Sequence, residues 1–180
     1  FSYHYALALC GSIFYGRPSR DLVVIGVTGT KGKSSVVYLF SKILEQSGFR
    51  AASVSSIGIK VGEKEMPNSA KMTMPGRFFL QKFFYDAKKA KCKFAVVEIT
   101  SQGILQSRHK FIDFDTLVFT NLQREHLEAH GSFENYREAK TRPFAELASL
   151  WRKLDEGGGT TKKTIIVNVD DSNFEYFSRF

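Results

Sequence analysis

What this sequence lacks narrows the reading first. Cysteine occurs only twice, at Cys10 and Cys92, far apart and in apolar surroundings. That excludes a disulfide scaffold and a cysteine metal cluster, and it fits two buried free thiols in a reducing compartment. Long apolar runs are missing too. The stretch from Tyr5 to Tyr15 is too short to cross a bilayer, which takes about 20 residues. No signal-peptide pattern precedes it, so a cytoplasmic protein with no membrane partner is expected. There is no internal repeat, no low-complexity segment and no basic run alternating with aromatics. The net charge is +8, from 26 Lys plus Arg against 18 Asp plus Glu. Apart from the short pairs Lys88-Lys89 and Lys162-Lys163, these cations are scattered. Such a surplus could suit a nucleic acid and equally suits phosphate-rich small ligands; because the cations are scattered, no nucleic-acid partner is expected.

What is present is an ordinary globular composition, 43% hydrophobic and 24% charged, over 180 residues. That length supports one sizeable domain with its own core, and the 17 phenylalanines are expected to fill much of it. A monomer is expected. The first residue is Phe1 rather than Met, so the chain is expected to be a fragment or a processed form.

Residues 1–20 read as a linker and short helix, Tyr3 to Phe14, leading into the domain at 21–180. Leu22 to Val27 is a continuous β-branched apolar run, the pattern of a buried parallel strand. A glycine-rich turn leads into a helix from Ser34 to Gly48, with Val36, Val37, Phe40, Ile43 and Leu44 at helical spacing. Ala51 to Val61 predicts a strand running into a hairpin arm near Gly62-Glu63, and Met66 to Pro75 a polar loop. Gly76 to Ala90 predicts a helix burying Leu80, Phe83, Phe84 and Ala87. Strands follow at Phe94 to Ile99 and Thr116 to Thr120, with a loop or short helix at Ser101 to Arg108 between them. A helical stretch from Ser132 to Leu154 carries Lys140, Phe144, Leu147, Trp151 and Leu154 along one stripe, kinked or interrupted by Pro143. Ile165 to Val169 is a last strand. Strands and helices alternate throughout, so the expected fold is a three-layer α/β domain of the P-loop type with a mainly parallel sheet, its ligands at the carboxyl ends of the strands.

The segment Gly26 to Ser35, GVTGTKGKSS, falls between strand and helix. Gly26, Gly29 and Gly32 punctuate a turn whose backbone N–H groups can face phosphate oxygens, and the helix N-terminus adds its dipole. Lys33 would reach the β- and γ-phosphates and the Ser34 hydroxyl would ligate Mg²⁺. The general pattern G-x-x-x-x-G-K-[ST] is matched imperfectly, because its first glycine falls at Val27. Glu98 closes a buried strand. A carboxylate there suits a hard cation bridging phosphates, the alternative being a helix-capping or salt-bridged glutamate. His126 and His130 share helical spacing, but no third ligand completes a zinc site.

The spelling of the glycine loop resembles the superfamily of Mur ligases and folylpolyglutamate synthetases. Further motifs in the same order are Thr73-Met74-Pro75, EITSQG at Glu98 to Gly103, Gln106 with Arg108, FTNLQREHLEAHG at Phe119 to Gly131, ENYREAK at Glu134 to Lys140 and VNVDD at Val167 to Asp171. Over nearly the whole chain these resemble the central domain of the Mur ligases that add the third residue of the peptide. The resemblance implies an ATP-dependent amide-forming ligase of peptidoglycan precursor synthesis. In that reaction a UDP-MurNAc-dipeptide carboxylate is phosphorylated by ATP, and the acyl phosphate is attacked by an amino acid's amine.

The resemblance also implies roles. Gly29, Thr30, Lys31, Gly32, Lys33, Ser34, Ser35 and Asn121 would hold ATP. Lys33, Glu98, His126 and Lys140 would be catalytic, with Ser34, Glu98, His126 and a carbamylated Lys140 around Mg²⁺. Read by type alone, Lys140 is a solvated surface lysine; carbamylation would need a depressed pKa. Thr73, Thr100, Gln106 and Arg108 match positions that contact the UDP-MurNAc-peptide, the alternative being ordinary polar loop residues. The chain departs from the family pattern at Lys31 (usually Asn), Met74 (Thr), Thr100 (Ser), Gln102 (His) and Glu125 (Asp). Against the family pattern, the flanking domains and the last part of the central one are expected to be missing from this chain. A partial domain that binds Mg·ATP and does not turn over alone is expected. The competing readings are a folylpolyglutamate synthetase-like ligase and a non-catalytic nucleotide-binding module.

Overall fold

A computed structural model describes residues 2–68, 72–125, 131–154 and 158–180. Seven strands form one sheet in the order β4-β3-β2-β5-β1-β6-β7. They are β1 (Val23–Thr28), β2 (Ala51–Val54), β3 (Gly58–Val61), β4 (Lys64–Pro67), β5 (Phe94–Glu98), β6 (Thr116–Phe119) and β7 (Thr164–Val167). β2, β5, β1, β6 and β7 run parallel, and β3 and β4 add an antiparallel arm at one edge. The helices are α1 (Tyr3–Phe14), α2 (Lys33–Gln46), α3 (Arg77–Lys89), α4 (Ser101–Leu105), α5 (Phe133–Leu147) and α6 (Phe174–Ser178).

Two apolar clusters divide the layers. The larger gathers Leu117 and Phe119 of the sheet with Leu80, Phe83 and Phe84 of α3, Tyr136 and Phe144 of α5 and Phe177 of α6. The smaller sets Val37 of α2 against Ile25, Val27, Val96 and Val118 on the other face. β1 is central and buried on both faces, which is why its sequence is apolar without alternation. Within it Gly26 serves packing. A Cβ there would stand 2.5 Å from Ile99 and 2.8 Å from Leu117. Gly26 is therefore a strand residue under the core, not part of the turn.

Other expectations shift. The strand expected over residues 51–61 divides into β2 and β3 around a turn closed by a hydrogen bond from Ser55 N to Gly58 O, 3.0 Å. β4 occupies the start of the segment read as a loop. α5 begins at Ser132, whose hydroxyl accepts from Asn135 N at 3.1 Å, and it continues past Pro143. It ends at Leu147, not Leu154. There the Ser149 hydroxyl takes the Glu146 carbonyl and the chain turns away. Trp151 and Leu154, expected on the buried stripe, are 54% and 76% exposed. Lys153 is buried instead, drawn onto Leu22 O, Asp113 O and the carboxylate of buried Asp115. Asp115 also accepts from Val24 N and pairs with Lys163. Of the two cysteines, Cys92 is buried as expected, but Cys10 lies exposed on the outer side of α1. No helix is long and apolar enough to cross a membrane among the described residues.

Candidate functional site

The parallel register brings three strand ends together. Val27 pairs with Glu98, and Thr28 with Phe119, so the turn after β1 lies between the ends of β5 and β6. That turn, Gly29 to Gly32, is pinned from the β6 side. Thr30 N donates to Asn121 O at 2.8 Å, and Lys31 N to Asn121 Oδ1 at 2.9 Å. Asn121 Nδ2 and Thr120 Oγ1 both donate to Lys31 O, at 3.1 and 2.8 Å. Gly29 has φ +149°, and a Cβ on it would lie 2.0 Å from Thr120 Oγ1, so only glycine allows this approach. Gly32 caps α2 in the left-handed conformation with φ +77° and supplies no side-chain acceptor. α2 has no acidic residue in its first turn, so its N-terminal N–H groups and positive dipole end face outward for an anion.

Four predicted side chains gather here. The Lys33 ammonium donates to Thr30 O at 2.9 Å and lies 3.7 Å from Glu98 Oε1. Ser34 Oγ donates to Glu98 Oε2 at 2.8 Å. Glu98 is only 2% exposed, and its Oε2 also accepts from Ser56 N at 3.0 Å. Lys140 is 2% exposed and donates to Gly29 O at 2.8 Å, with its ammonium 4.9 Å from the Tyr136 ring centre. The surface lysine expected from residue type alone is thus a buried one. Burial, with the nearby Lys33 charge, lowers its pKa from 10.5 to about 7, and Glu98 opposes both. Tyr136 shares a 3.2 Å hydrogen bond with Thr30 Oγ1, which accepts in turn from Gln123 N at 2.9 Å.

Chemically, this set fits Mg²⁺ with phosphates. Hard oxygens on Ser34 and Glu98 converge within a single hydrogen-bond length, as a hard cation requires. The ammonium form of Lys140 offers a metal no lone pair, whereas a carbamate on its nitrogen would supply the hard anionic oxygens that Mg²⁺ favours. No group of three or more His, Cys, Asp or Glu side chains that could hold a metal occurs among the described residues. His126 lies outside the described residues. Lys31 pairs with Glu125 at 3.2 Å across the mouth of the loop. Ser35 is exposed in the first turn of α2.

The second predicted group surrounds α4. Thr100 caps α4, its hydroxyl accepting from Gly103 N at 3.0 Å, two residues beyond Glu98. Buried Met74 lies against Gly103, where a Cβ would stand 2.4 Å from its sulfur. Thr73 is half-buried beside Met74. Arg108 donates through Nε and Nη2 to Gln106 Oε1 at 3.1 and 2.6 Å, and through Nη1 to Met74 O. Asn68 ties this segment to the end of β2, donating to Ser55 O at 2.8 Å and Met72 O at 3.0 Å.

Sequence reading missed three residues here. Ser56 holds Glu98 by its N–H and shares a 2.7 Å hydrogen bond with Ser34 Oγ. Its one signal was position, just past the carboxyl end of a parallel strand. Tyr136 stood in a quoted motif with no role given to it. Arg77 donates to Gln106 O at 2.9 Å, and nothing in its local sequence marked it.

A parallel sheet whose first strand turns on glycines into an uncapped helix is a P-loop-type α/β domain, a class built to hold phosphates. The comparisons with known proteins narrow that class. A family profile described as Mur ligase middle domain matches residues 27–179, and the chain belongs to the Mur ligase family through that domain. It is 35% identical over 172 residues to a UDP-N-acetylmuramoyl-L-alanyl-D-glutamate–2,6-diaminopimelate ligase of Geobacillus kaustophilus, covering 96% of this chain and 34% of the relative. A UDP-N-acetylmuramyl-tripeptide synthetase of Treponema pallidum is 38% identical over 144 residues, covering 79% of this chain and 27% of that protein. This chain therefore spans about a third of the length of such relatives. Among solved structures, a UDP-N-acetylmuramoyl-L-alanyl-D-glutamate–2,6-diaminopimelate ligase superposes with a TM-score of 0.69 at 28% identity, over 88% of this chain and 29% of that one. The folylpolyglutamate synthase of Mycobacterium tuberculosis complexed with ADP shares the fold, with a TM-score of 0.67 at 15% identity over 97% of this chain and 43% of that one.

Proposed function

We propose that this chain carries the ATP- and magnesium-binding part of an amide-forming ligase of peptidoglycan precursor synthesis, acting on a UDP-MurNAc-dipeptide and an amino acid. The observation that supports it is the convergence of Lys33, Ser34, Glu98 and Lys140 on one glycine loop. On this reading the N–H groups of Gly29 to Ser35 hold the phosphates, and Asn121 keeps the loop open for them. Lys33 spreads positive charge over the transferred γ-phosphoryl group. Ser34 and Glu98 would hold Mg²⁺, together with His126 by family resemblance and a carbamylated Lys140. Bound there, Mg²⁺ supplies Lewis-acid charge neutralisation between crowded phosphates. The side-chain nitrogen of Lys140 is suited to carbamylation because burial beside Lys33 favours its neutral, nucleophilic amine form.

Thr73, Thr100, Gln106 and Arg108 are assigned to the peptide substrate. The γ-phosphoryl group passes from ATP to the substrate carboxylate, releasing ADP. The amine then forms the amide and releases phosphate. Residues 21–180 are assigned to part of the middle domain and residues 1–20 to its lead-in. The protein is placed in the cytoplasm as a monomer, without a nucleic-acid partner, and the chain alone is expected not to turn over. The motifs EITSQG with Arg108 and FTNLQREHLEAHG support this reading over a folate-directed ligase, whose fold likeness is shared.

Titrating the melting temperature with Mg·ATP tests the proposal. A ligand at about a hundred times its Kd adds about 2.7 kcal/mol of stability. The expected result is a saturating upward shift that is lost in Lys33→Ala. No shift, or an equal shift in that variant, would overturn it. Incubation with UDP-MurNAc-dipeptide, amino acid and Mg·ATP is expected to release no ADP from this chain. Sustained turnover would contradict the assignment of a partial domain.

A further inference from the structure

We infer that Arg77 is a second guanidinium acting with Arg108 to clamp an oxyanion of the substrate, a carboxylate or a phosphate. This rests on the reading above, in which Arg108 faces the UDP-MurNAc-peptide. Two guanidiniums meet on one residue. Arg77 donates through Nε and Nη2 to the backbone oxygen of Gln106, and Arg108 grips the side-chain oxygen of the same Gln106. The backbone is bent to achieve this. α4 ends in a turn with Ser107 in the left-handed conformation at φ +56°, where Arg108 N donates to Gly103 O at 2.8 Å and Ser107 N to Ile104 O at 2.9 Å. A serine there is strained by about 1 kcal/mol, and the bend returns Arg108 toward Met74 and Met72.

The charges are left over. Among the described residues neither guanidinium is ion-paired with a carboxylate, and every partner named for them is a neutral oxygen or a sulfur. Burial lowers both groups from their ordinary values, and the charge of Arg77 lowers Arg108 further. Bringing two half-buried like charges together is unfavourable unless an anion completes the set. Capping the orphan carbonyl at the end of α4 needs one neutral donor and does not account for a second cation. Among the described residues Arg77 Nη1 makes no hydrogen bond and is left for that anion, and the fork geometry suits a carboxylate or phosphate held in two places.

Calorimetric binding of two separate probes tests this: UDP, and MurNAc-L-Ala-D-Glu without its nucleotide. Arg77→Gln is expected to weaken one of them by about tenfold or more, the loss of a charge-assisted hydrogen bond, while leaving the Mg·ATP melting shift intact. A loss confined to MurNAc-L-Ala-D-Glu places the clamp on a carboxylate; a loss confined to UDP places it on the diphosphate. Unchanged affinity for both, or no binding of either to the parent chain while Mg·ATP still binds, overturns the clamp. If the parent chain shows no Mg·ATP shift, the ligase reading fails, and Arg77-dependent binding of either probe would still sustain the clamp. Should Arg77→Gln not fold, Arg77→Lys keeps the charge and a donor for Gln106 O but loses the fork. It is expected to fold and to bind more weakly than the parent, and unaltered binding by that variant overturns the proposal.

Discussion

Lys140 offers the sharpest quantitative test of the site. Its pKa is lowered from 10.5 to about 7 because its ammonium is buried and stands near Lys33. Below pH 7 the native and unfolded chains both carry the proton, so this group adds no pH dependence. Between about 7 and 10.5 the unfolded chain keeps a proton that the native chain has lost, and stability therefore rises with pH. Above 10.5 both forms are neutral and the gain is complete. The interval of about 3.5 units, at about 1.4 kcal/mol each, sets a ceiling of about 5 kcal/mol. The direction is opposite to that of a lysine paired with a carboxylate in the fold.

Lys140→Met isolates this effect. Methionine keeps the length and apolar stem of the side chain and cannot titrate. It also leaves Gly29 O without its 2.8 Å donor, a penalty of about 1–3 kcal/mol that does not change with pH. Urea unfolding of both proteins in metal-free, bicarbonate-free buffer from pH 6.5 to 9.5 gives the comparison. The parent chain is expected to gain about 2–3 kcal/mol on the variant across that range, allowing for relaxation around the charge. Parallel stability curves would refute the reasoning, because they would mean that Lys140 titrates alike in the native and unfolded chains. Bicarbonate at pH 8 is then expected to add the mass of one CO₂ to the parent and not to the variant, read by native mass spectrometry.

Three other outcomes are expected. Gly29→Ala forces a Cβ to within 2.0 Å of Thr120 Oγ1 at φ +149°, and denaturant unfolding should show a loss of more than about 3 kcal/mol; a loss below about 1 kcal/mol would mean that the loop moves freely. Glu98→Gln keeps the shape of the side chain while removing the anion that Ser34 and Ser56 surround, so the melting shift with ATP should no longer depend on Mg²⁺. The Lys31–Glu125 pair is 62% and 37% exposed, so a double-mutant cycle with Lys31→Asn and Glu125→Gln should give a coupling below about 1 kcal/mol that vanishes in high salt.

The parallel core was readable because Leu22 to Val27 and Phe94 to Val97 are runs without a polar side chain, as strands buried on both faces require. The loop was readable because glycines, lysine and serine must keep fixed spacing for a backbone to wrap phosphate. Where the reading slipped, a distant contact overrode a local pattern. Trp151 and Leu154 continue the helical spacing of α5, but Lys153 between them is captured by Asp115, the residue just before β6, a pairing that no window of neighbouring residues reveals. Gly26 looked like a turn glycine because it precedes Gly29, although side chains from Leu117 and Phe114 set its size limit. Ser56 and Arg77 act through partners 42 and 29 residues away, a separation at which spacing carries no signal.

The departures from the family pattern become intelligible in pairs. Lys31 and Glu125, read separately, each looked like a loose substitution at a sensitive place. In the fold they face each other at 3.2 Å, and the longer arm of glutamate fits a contact made to the tip of a lysine. Met74 likewise replaces a hydroxyl with an apolar side chain, and it is buried against Gly103, a position too tight for any Cβ. Apolar atoms there need no hydrogen-bond partner, whereas a buried hydroxyl would. Both exchanges are settled locally, one by charge and one by packing. Neither touches the hydrogen bonds that join Lys33, Ser34, Glu98 and Lys140 to the glycine loop. These exchanges therefore lie beside the glycine loop and beside α4, where substrate contacts are proposed. The groups at the strand ends, which on the proposed function face a phosphate and its cation whatever the substrate, keep the geometry that the sheet imposes on them.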